Sequence, residues 1–163
     1  MKNDEIRGIV LLPILVLAAL TAYQGFFPKM VTEAFSELAI LDRNMMTSDY
    51  PRELHVNESF TLYLYVGNHE GRVAYYAILV KLGNSSDFIN ETTPMNAPMI
   101  AVYEKILMDN ETWIHPINLS IERAGVNLRL VVEMWIYDDA ADDFRYHGRW
   151  NQLWLNVTSP KPP

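Results

Sequence analysis

The most suggestive chemical pair in the sequence is His69 and Glu70, which follow Asn68 in a short segment bounded by Gly67 and Gly71. A histidine beside a carboxylate can form half of a metal site or of an acid–base pair. The same residues also suit a turn, because Asn and His tolerate left-handed backbone geometry and bond nearby main-chain groups. The turn is the favoured interpretation, since it is the more common use of these residues.

Four carboxylates lie close together at Asp138, Asp139, Asp142 and Asp143. Calcium takes six to eight oxygen ligands, and such a loop can supply several of them. The segment lacks the alternate-position spacing and the central glycine of an EF-hand loop. A solvated turn is therefore the favoured interpretation, and a calcium-binding or ligand-binding module is the alternative.

Other patterns typical of enzymes are missing from the sequence. His55, His115 and His147 are scattered and form no His-x-x-x-His pair, and neither a Gly-x-Ser-x-Gly elbow nor a glycine-rich phosphate loop occurs. The absence of cysteine excludes thiolate chemistry, Cys-ligated metals and disulfides. The formal net charge of −7 argues against a nucleic-acid surface, which needs clustered Lys and Arg. We therefore expect a non-enzymatic protein without a cofactor.

Six Asn-x-Ser/Thr triplets, none with proline in the middle, form the clearest modification signal. With 12 Asn and 15 Ser or Thr in 163 residues, chance gives about one such triplet. The six lie at Asn57, Asn84, Asn90, Asn110, Asn118 and Asn156. Because N-linked glycans are attached outside the cytoplasm, this excess predicts an exported segment that carries several glycans. The alternative, that these residues only mark turns, fits Asn84, Asn90 and Asn110 better than the other three.

An uncharged apolar run at residues 8–27 is long enough, as a helix of about 30 Å, to span a bilayer. Tyr23, Phe26 and Phe27 would form an aromatic belt where it leaves the membrane. We favour an uncleaved anchor with a cytoplasmic amino terminus. A cleaved signal peptide is an alternative, although Ala19-Leu20-Thr21 is a poor cleavage site. The second alternative is a pilin-like leader that is cut between Arg7-Gly8 and Ile9.

After the apolar run the pattern becomes alternating, which is typical of half-buried strands. Glu104 and Lys105 indicate that residues 99–108 form an edge strand or a short helix, and Pro116 places the strand at 113–121 at an edge or a bulge. Gly67–Gly71 reads as a hairpin turn and residues 83–98 as a polar loop. The predicted strands cover residues 35–41, 54–56, 59–66, 73–82, 99–108, 113–121, 126–137 and 150–157.

This strand number and spacing predict a mainly β fold, an antiparallel sandwich of immunoglobulin or fibronectin type after a transmembrane helix. We expect a membrane anchor at residues 1–30, a β-sandwich at residues 31–158 and a proline-rich tail at residues 159–163. In the strand at 126–137, Val126 and the alternate residues up to Ile136 are expected to face the core. Trp135 and Trp154 are expected to face outward, where they can form a contact surface.

Several short segments resemble an archaeal membrane-protein family that is known only as a domain of unknown function. The segments are Phe35–Leu41, Tyr50-Pro51, Val56-Asn57-Glu58, Val66–Glu70, Val73-Ala74-Tyr75, Asn127–Leu130 and Leu153–Val157. The Asn-His-Glu turn before a tyrosine-rich strand carries most of the resemblance, which spans residues 35–157. It implies an archaeal cell-envelope protein with an exported sandwich, and it implies no catalytic residue.

These observations favour an accessory or structural subunit, anchored in the lipid bilayer through residues 8–27, that docks on a protein partner in a membrane or envelope complex. An edge strand and the outward aromatic residues would provide the contact. A filament or surface-layer subunit, assembled through the apolar helix or by strand exchange, is the first alternative. An enzyme, or a module that binds a ligand at the acidic loop, is the second.

Overall fold

A computed structural model describes residues 33–159 and, in the segment before them, Val16. The predicted membrane span and the proline-rich tail beyond Ser159 lie outside the described residues. Among the residues that are described, no helix has the length and apolarity needed to cross a bilayer. Residues 33–159 form eight strands: β1 Phe35–Leu41, β2 Glu53–His55, β3 Ser59–His69, β4 Ala74–Gly83, β5 Met99–Leu107, β6 Thr112–Ser120, β7 Gly125–Asp138 and β8 Asp143–Thr158.

The eight strands form two sheets, with order β1-β3-β6 in one and β2-β8-β7-β4-β5 in the other. The chain crosses between the sheets after β1, β2, β3, β5 and β6. Two packed sheets joined by such crossings form a sandwich, so the predicted sandwich is confirmed. The prediction of a wholly antiparallel fold was wrong in one place. Strand β2 runs parallel to β8, with Glu53 opposite Asn156.

The segment Gly67–Gly71 is not a hairpin, contrary to the sequence-based prediction. Strand β3 continues to His69 and pairs with β1 on one side and β6 on the other. Strand β4 pairs with β5 and β7 in the second sheet. Because both edges of each strand are occupied, β3 and β4 cannot pair with each other, and the segment carries the chain from one sheet to the other.

The main core lies between the two sheets and follows the predicted alternation. Leu62, Leu64 and Val66 of β3 are fully buried, as are Leu130 and Val132 of β7. Burying one such side chain stabilises a fold by about 1.5–3 kcal/mol. Val126 was wrongly placed in this core, since it is 77% exposed. The pairing of β7 with β8 shifts register between Gly125 and Leu128, and this irregularity displaces Val126 from the alternating pattern.

A second, smaller core lies on the outer face of the larger sheet. Ile89 and Met95, from the segment between β4 and β5, pack on Val131 of β7 and on Trp150 of β8. This segment, residues 84–98, contains no strand, as predicted, but it covers part of the sheet instead of standing away from it. Val131 and Glu133, which the alternation placed on an outer face, are consequently buried as well.

Candidate functional site

Asn68 occupies the centre of the crossing from β3 to β4 and is fully buried. Its amide nitrogen donates to the carbonyl oxygens of Arg72 at 2.8 Å and of Leu107 at 3.0 Å. Its amide oxygen accepts from the backbone N–H of Glu70 at 3.0 Å and from the hydroxyl of Tyr76 at 3.2 Å. Asn68 therefore fixes the crossing against the end of β5, which supports the structural interpretation of the motif.

Glu70 belongs to a cluster of polar side chains between β1, β4 and β8. The Ser36 hydroxyl donates to Glu70 Oε1 at 2.5 Å and lies 2.8 Å from the Tyr76 hydroxyl. His147 Nε2 lies 3.3 Å from the same oxygen of Glu70. His147 Nδ1 is buried and has no hydrogen-bond partner in the described part of the chain.

A bulge in β8 places His147 in this cluster. Glu133 pairs with Trp150 and Trp135 pairs with Tyr146, so two steps along β7 correspond to four along β8. A bulge changes the direction in which side chains point. Sequence reasoning missed His147 and Ser36 because they lie 77 and 34 residues from Glu70. The positive φ of 84° at Gly148 marks the bulge, but it is not visible in a hydrophobic pattern.

The cluster contains a serine, a histidine and a carboxylate, but not in the order that activates a nucleophile. In that order the histidine accepts the serine proton and the carboxylate orients the histidine. Here the Ser36 hydroxyl donates directly to Glu70, and Ser36 is only 1% exposed. Burial raises the pKa of Glu70. This effect is outweighed by hydrogen bonds from Ser36 and His147 and by the charges of His147 and Arg72, so the pKa lies below its usual value. The arrangement stabilises a partly buried carboxylate, and Ser36 is held as a donor to Glu70 and not as an attacking group.

His69 and Glu70, predicted as one candidate pair, point to different partners. His69 Nδ1 lies 3.1 Å from Asn110 Oδ1, its Nε2 lies 3.5 Å from Glu37 Oε2, and its ring stacks on Phe35. The hydrogen bond to Asn110 raises the pKa of His69. Burial lowers this pKa, but the bond to Glu37 and its charge raise it further. The structure therefore does not bring His69 and Glu70 together as one acid–base site.

The four carboxylates at 138–143 form the hairpin turn between β7 and β8. Asp138 accepts the backbone N–H of Ala140 at 3.0 Å, and Asp142, which has a φ of 54°, accepts the Tyr137 hydroxyl. Asp143 pairs with Asp138 across the turn. Within residues 33–159, no three His, Cys, Asp or Glu side chains are grouped so as to hold a metal ion. Calcium binding here stays a prediction that a calcium titration tests.

The remaining histidines lie far apart and have local partners. His55 Nδ1 lies 3.1 Å from the Ser159 carbonyl oxygen, and the His115 ring stacks on Trp113. No shared partner links either of them to His147 in the described segment.

The two tryptophans predicted as contact residues differ in exposure. Trp135 is half-buried, and its indole N–H donates to Glu133 at 3.1 Å. Trp154 is 41% exposed, and the Arg129 guanidinium stacks 5.5 Å from its ring and 5.5 Å from that of Trp150. Trp154 thus remains a candidate contact residue, whereas Trp135 is tied into the sheet.

Within the described residues, β5 is an outer strand of the larger sheet, which agrees with the edge-strand alternative for residues 99–108 and not with the helix. This edge carries apolar side chains that are between 40 and 61% exposed: Met99, Ile100, Val102, Ile106 and, in the turn after it, Met108. Beside it, a groove of about 690 Å³ runs between Ile100 and Ala101 of β5 and Leu119 near the end of β6. Strand β6 is one of the two outer strands of the smaller sheet, so in the described part of the chain the groove lies between two edge strands.

Comparison with solved structures finds similar chains at low sequence identity. The CARDB domain of a Pyrococcus furiosus protein, crystallised in complex with di-metal ions, has a TM-score of 0.49 at 10% identity over 81% of this chain and 95% of that chain. A β-glucosidase from Listeria innocua has a TM-score of 0.47 at 14% identity over 76% of this chain, but the match covers 16% of the enzyme. No curated protein matches the sequence.

A family comparison gives a match over most of the chain. The model described as a domain of unknown function, DUF1616, matches residues 28–158 and so includes all eight strands. The resemblance to a family known only by such a description is confirmed at this level. The chain therefore belongs to the DUF1616 family, whose function is unknown.

Proposed function

We propose that this protein is a non-enzymatic accessory subunit of an archaeal cell envelope, anchored by residues 8–27 and carrying an N-glycosylated sandwich outside the cytoplasm. Its amino terminus lies in the cytoplasm, and its sandwich docks on a protein partner in the membrane. The archaeal envelope is what the sequence resemblance implies. The anchor follows from twenty uncharged residues, and the export from six Asn-x-Ser/Thr triplets.

The apolar free edge at β5 is the observation that carries the docking role. An edge strand presents unpaired backbone N–H and C=O groups, and proteins usually protect it with charge or proline. Strand β5 has Glu104 and Lys105, yet five neighbouring apolar side chains remain exposed. Such an edge suits a partner strand, whose backbone extends the sheet while its side chains contact the apolar residues.

The docking role is tested by changing the edge without changing the core. We would replace Val102 and Ile106, both exposed on β5, with glutamate in the full-length chain and purify it from its native membranes in mild detergent. Val126→Glu is the matched control, because Val126 is also an exposed aliphatic residue but lies on β7. We expect the wild type and the control to elute with one partner at fixed stoichiometry and the β5 variant to elute without it.

Thermal unfolding of the purified proteins checks that the wild type and both variants are folded. Docking through β5 is refuted if the β5 variant, with an unchanged melting temperature, still carries the partner. The accessory role itself is refuted if the wild type elutes as a single chain in its micelle.

A further inference from the structure

We propose that the fold makes Asn-x-Ser/Thr triplets unequal in accessibility, so that Asn84 and Asn90 accept glycans and Asn156 does not. This inference rests on the proposed export of the sandwich. It assigns the modification to particular asparagines, which the sequence pattern cannot do because all six triplets satisfy it equally.

Asn84 and Asn90 lie exposed in the segment between β4 and β5, where no strand pairing holds the backbone. The amide oxygen of Asn84 accepts from the backbone N–H and the hydroxyl of Ser86, at 3.0 and 2.6 Å. The amide oxygen of Asn90 accepts from the backbone N–H and the hydroxyl of Thr92, at 2.9 and 3.0 Å. These turns use the amide oxygen, and neither amide nitrogen donates a hydrogen bond within the part of the chain that is described.

Asn156 lies in a strand that is hydrogen-bonded on both sides, since β8 runs between β2 and β7. Its amide nitrogen donates to Glu53 Oε1 at 2.8 Å, and its amide oxygen accepts from the backbone N–H of Asn127 at 2.9 Å. Its backbone N–H donates to the Arg52 carbonyl oxygen at 2.7 Å. The hydroxyl of Thr158, the third residue of this triplet, donates to the Leu54 carbonyl oxygen at 3.3 Å.

The transfer reaction explains why these differences matter. The Asn amide nitrogen attacks the anomeric carbon of a glycosyl donor that carries a phosphate leaving group. The carbon–nitrogen bond forms, the carbon–oxygen bond to phosphate breaks with its electron pair leaving on phosphate, and one amide proton passes to a base of the transferase. The transferase must hold the triplet apart from its neighbours during this step. Residues 84–86 and 90–92 can be offered as folded loops, whereas residues 156–158 become available only if β8 separates from β2 and β7.

Glycopeptide mass spectrometry of the full-length protein from its native membranes tests the assignment. We expect hexose-containing mass additions on the peptides with Asn84 and Asn90, at occupancies at least about tenfold above that of Asn156. Ser86→Ala and Thr92→Ala, which keep the asparagine but remove the third residue of the triplet, should each abolish the addition at their own site. Asn156→Gln is the matched control and should leave the glycan pattern unchanged.

The possible failures are distinguishable. Occupancy of Asn156 equal to that of Asn84 and Asn90 overturns the division by accessibility but leaves the export intact. Unmodified asparagines at all six triplets overturn the glycosylated, exported topology of the proposed function, and the division with it.

Discussion

The ion pair between Lys81 and Glu133 holds residues 84–98 against the outer face of the larger sheet. Lys81 Nζ lies 2.9 Å from Glu133 Oε2 and donates to the Met95 carbonyl oxygen at 2.8 Å. Glu133 Oε1 accepts the backbone N–H of Met95 at 2.6 Å. The two charged side chains thus bind both main-chain groups of Met95, which lies in the second core.

Replacing Lys81 with methionine should destabilise the sandwich severely. The Glu133 side chain is 0% exposed, so its charge would remain buried without a cation, and the Met95 carbonyl oxygen would lose its donor. Breaking a buried pair in this way costs about 3–5 kcal/mol. Lys105→Met is the matched control, because Lys105 is exposed on β5, and we expect it to change the free energy of unfolding by less than about 0.5 kcal/mol.

The double variant Lys81→Met with Glu133→Gln distinguishes the buried charge from lost packing. Glutamine keeps an oxygen that can accept the Met95 N–H while removing the uncompensated charge, so we expect the double variant to recover at least about half of the loss. The assay is urea unfolding of a fragment that begins at Ala34, immediately before β1. Tryptophan fluorescence follows the transition, because the Trp135 ring lies 5.8 Å from Lys81 Nζ. The reasoning is refuted if Lys81→Met is as mild as Lys105→Met, or if the double variant is no more stable than Lys81→Met.

Three further predictions concern the bulge, the crossing and the polar cluster. In Gly148→Ala the added carbon would lie 2.4 Å from the Glu91 carbonyl oxygen, so we expect the free energy of unfolding to fall by more than about 2 kcal/mol and residues 84–98 to be proteolysed faster. Gly71→Ala is the control, because Gly71 also has a positive φ but has open space around it, and it should cost only about 1 kcal/mol. Asn68→Ala should cost about 2–4 kcal/mol in urea unfolding, because it removes the amide donor of the Leu107 and Arg72 carbonyl oxygens and the acceptor of the Glu70 N–H. A loss below about 1 kcal/mol would contradict this role. Glu70 has a lowered pKa in the folded state, so the stability that its charge contributes should be complete above its ordinary pKa of 4.5 and decline as the pH falls through the lowered value. Glu70→Gln should therefore flatten the acid side of a plot of melting temperature against pH, and an unchanged acid side would contradict this role of Glu70.

The strands were predictable from the sequence because each is specified by its own alternation. The first predicted strand, residues 35–41, coincides with β1, and the alternate residues from Leu128 to Ile136 face the core as expected. Of the alternatives left open for residues 99–108 and 113–121, the edge strand is present in both places, at β5 and β6. In these segments a single strand carries the whole signal, so no knowledge of its neighbours is needed.

The relations between strands were much less predictable. Glycines at both ends of Gly67–Gly71 fit a hairpin and a sheet crossing equally well, and only the pairing of β3 with β1 and β6 distinguishes them. Alternation places Glu133 on an outer face but cannot show that residues 84–98 cover that face. The partner of Glu70 could not be predicted for the same reason, because a bulge far along the chain brings His147, and not His69, to Glu70.

The sandwich has no disulfide, and its two buried polar clusters connect parts of the fold that apolar packing alone would leave free to shift. The cluster around Glu70 joins β1 to the bulge in β8, and the Lys81–Glu133 pair joins residues 84–98 to β4 and β7. Buried ion pairs add little net stability compared with apolar residues of the same shape, but a half-made pair is costly. If residues 84–98 lay elsewhere, Lys81 and Glu133 would lose their hydrogen bonds to Met95. If β8 paired without its bulge, Glu70 would lose its bond to His147. These clusters therefore favour the arrangement of the layers in which the contacts of both are complete.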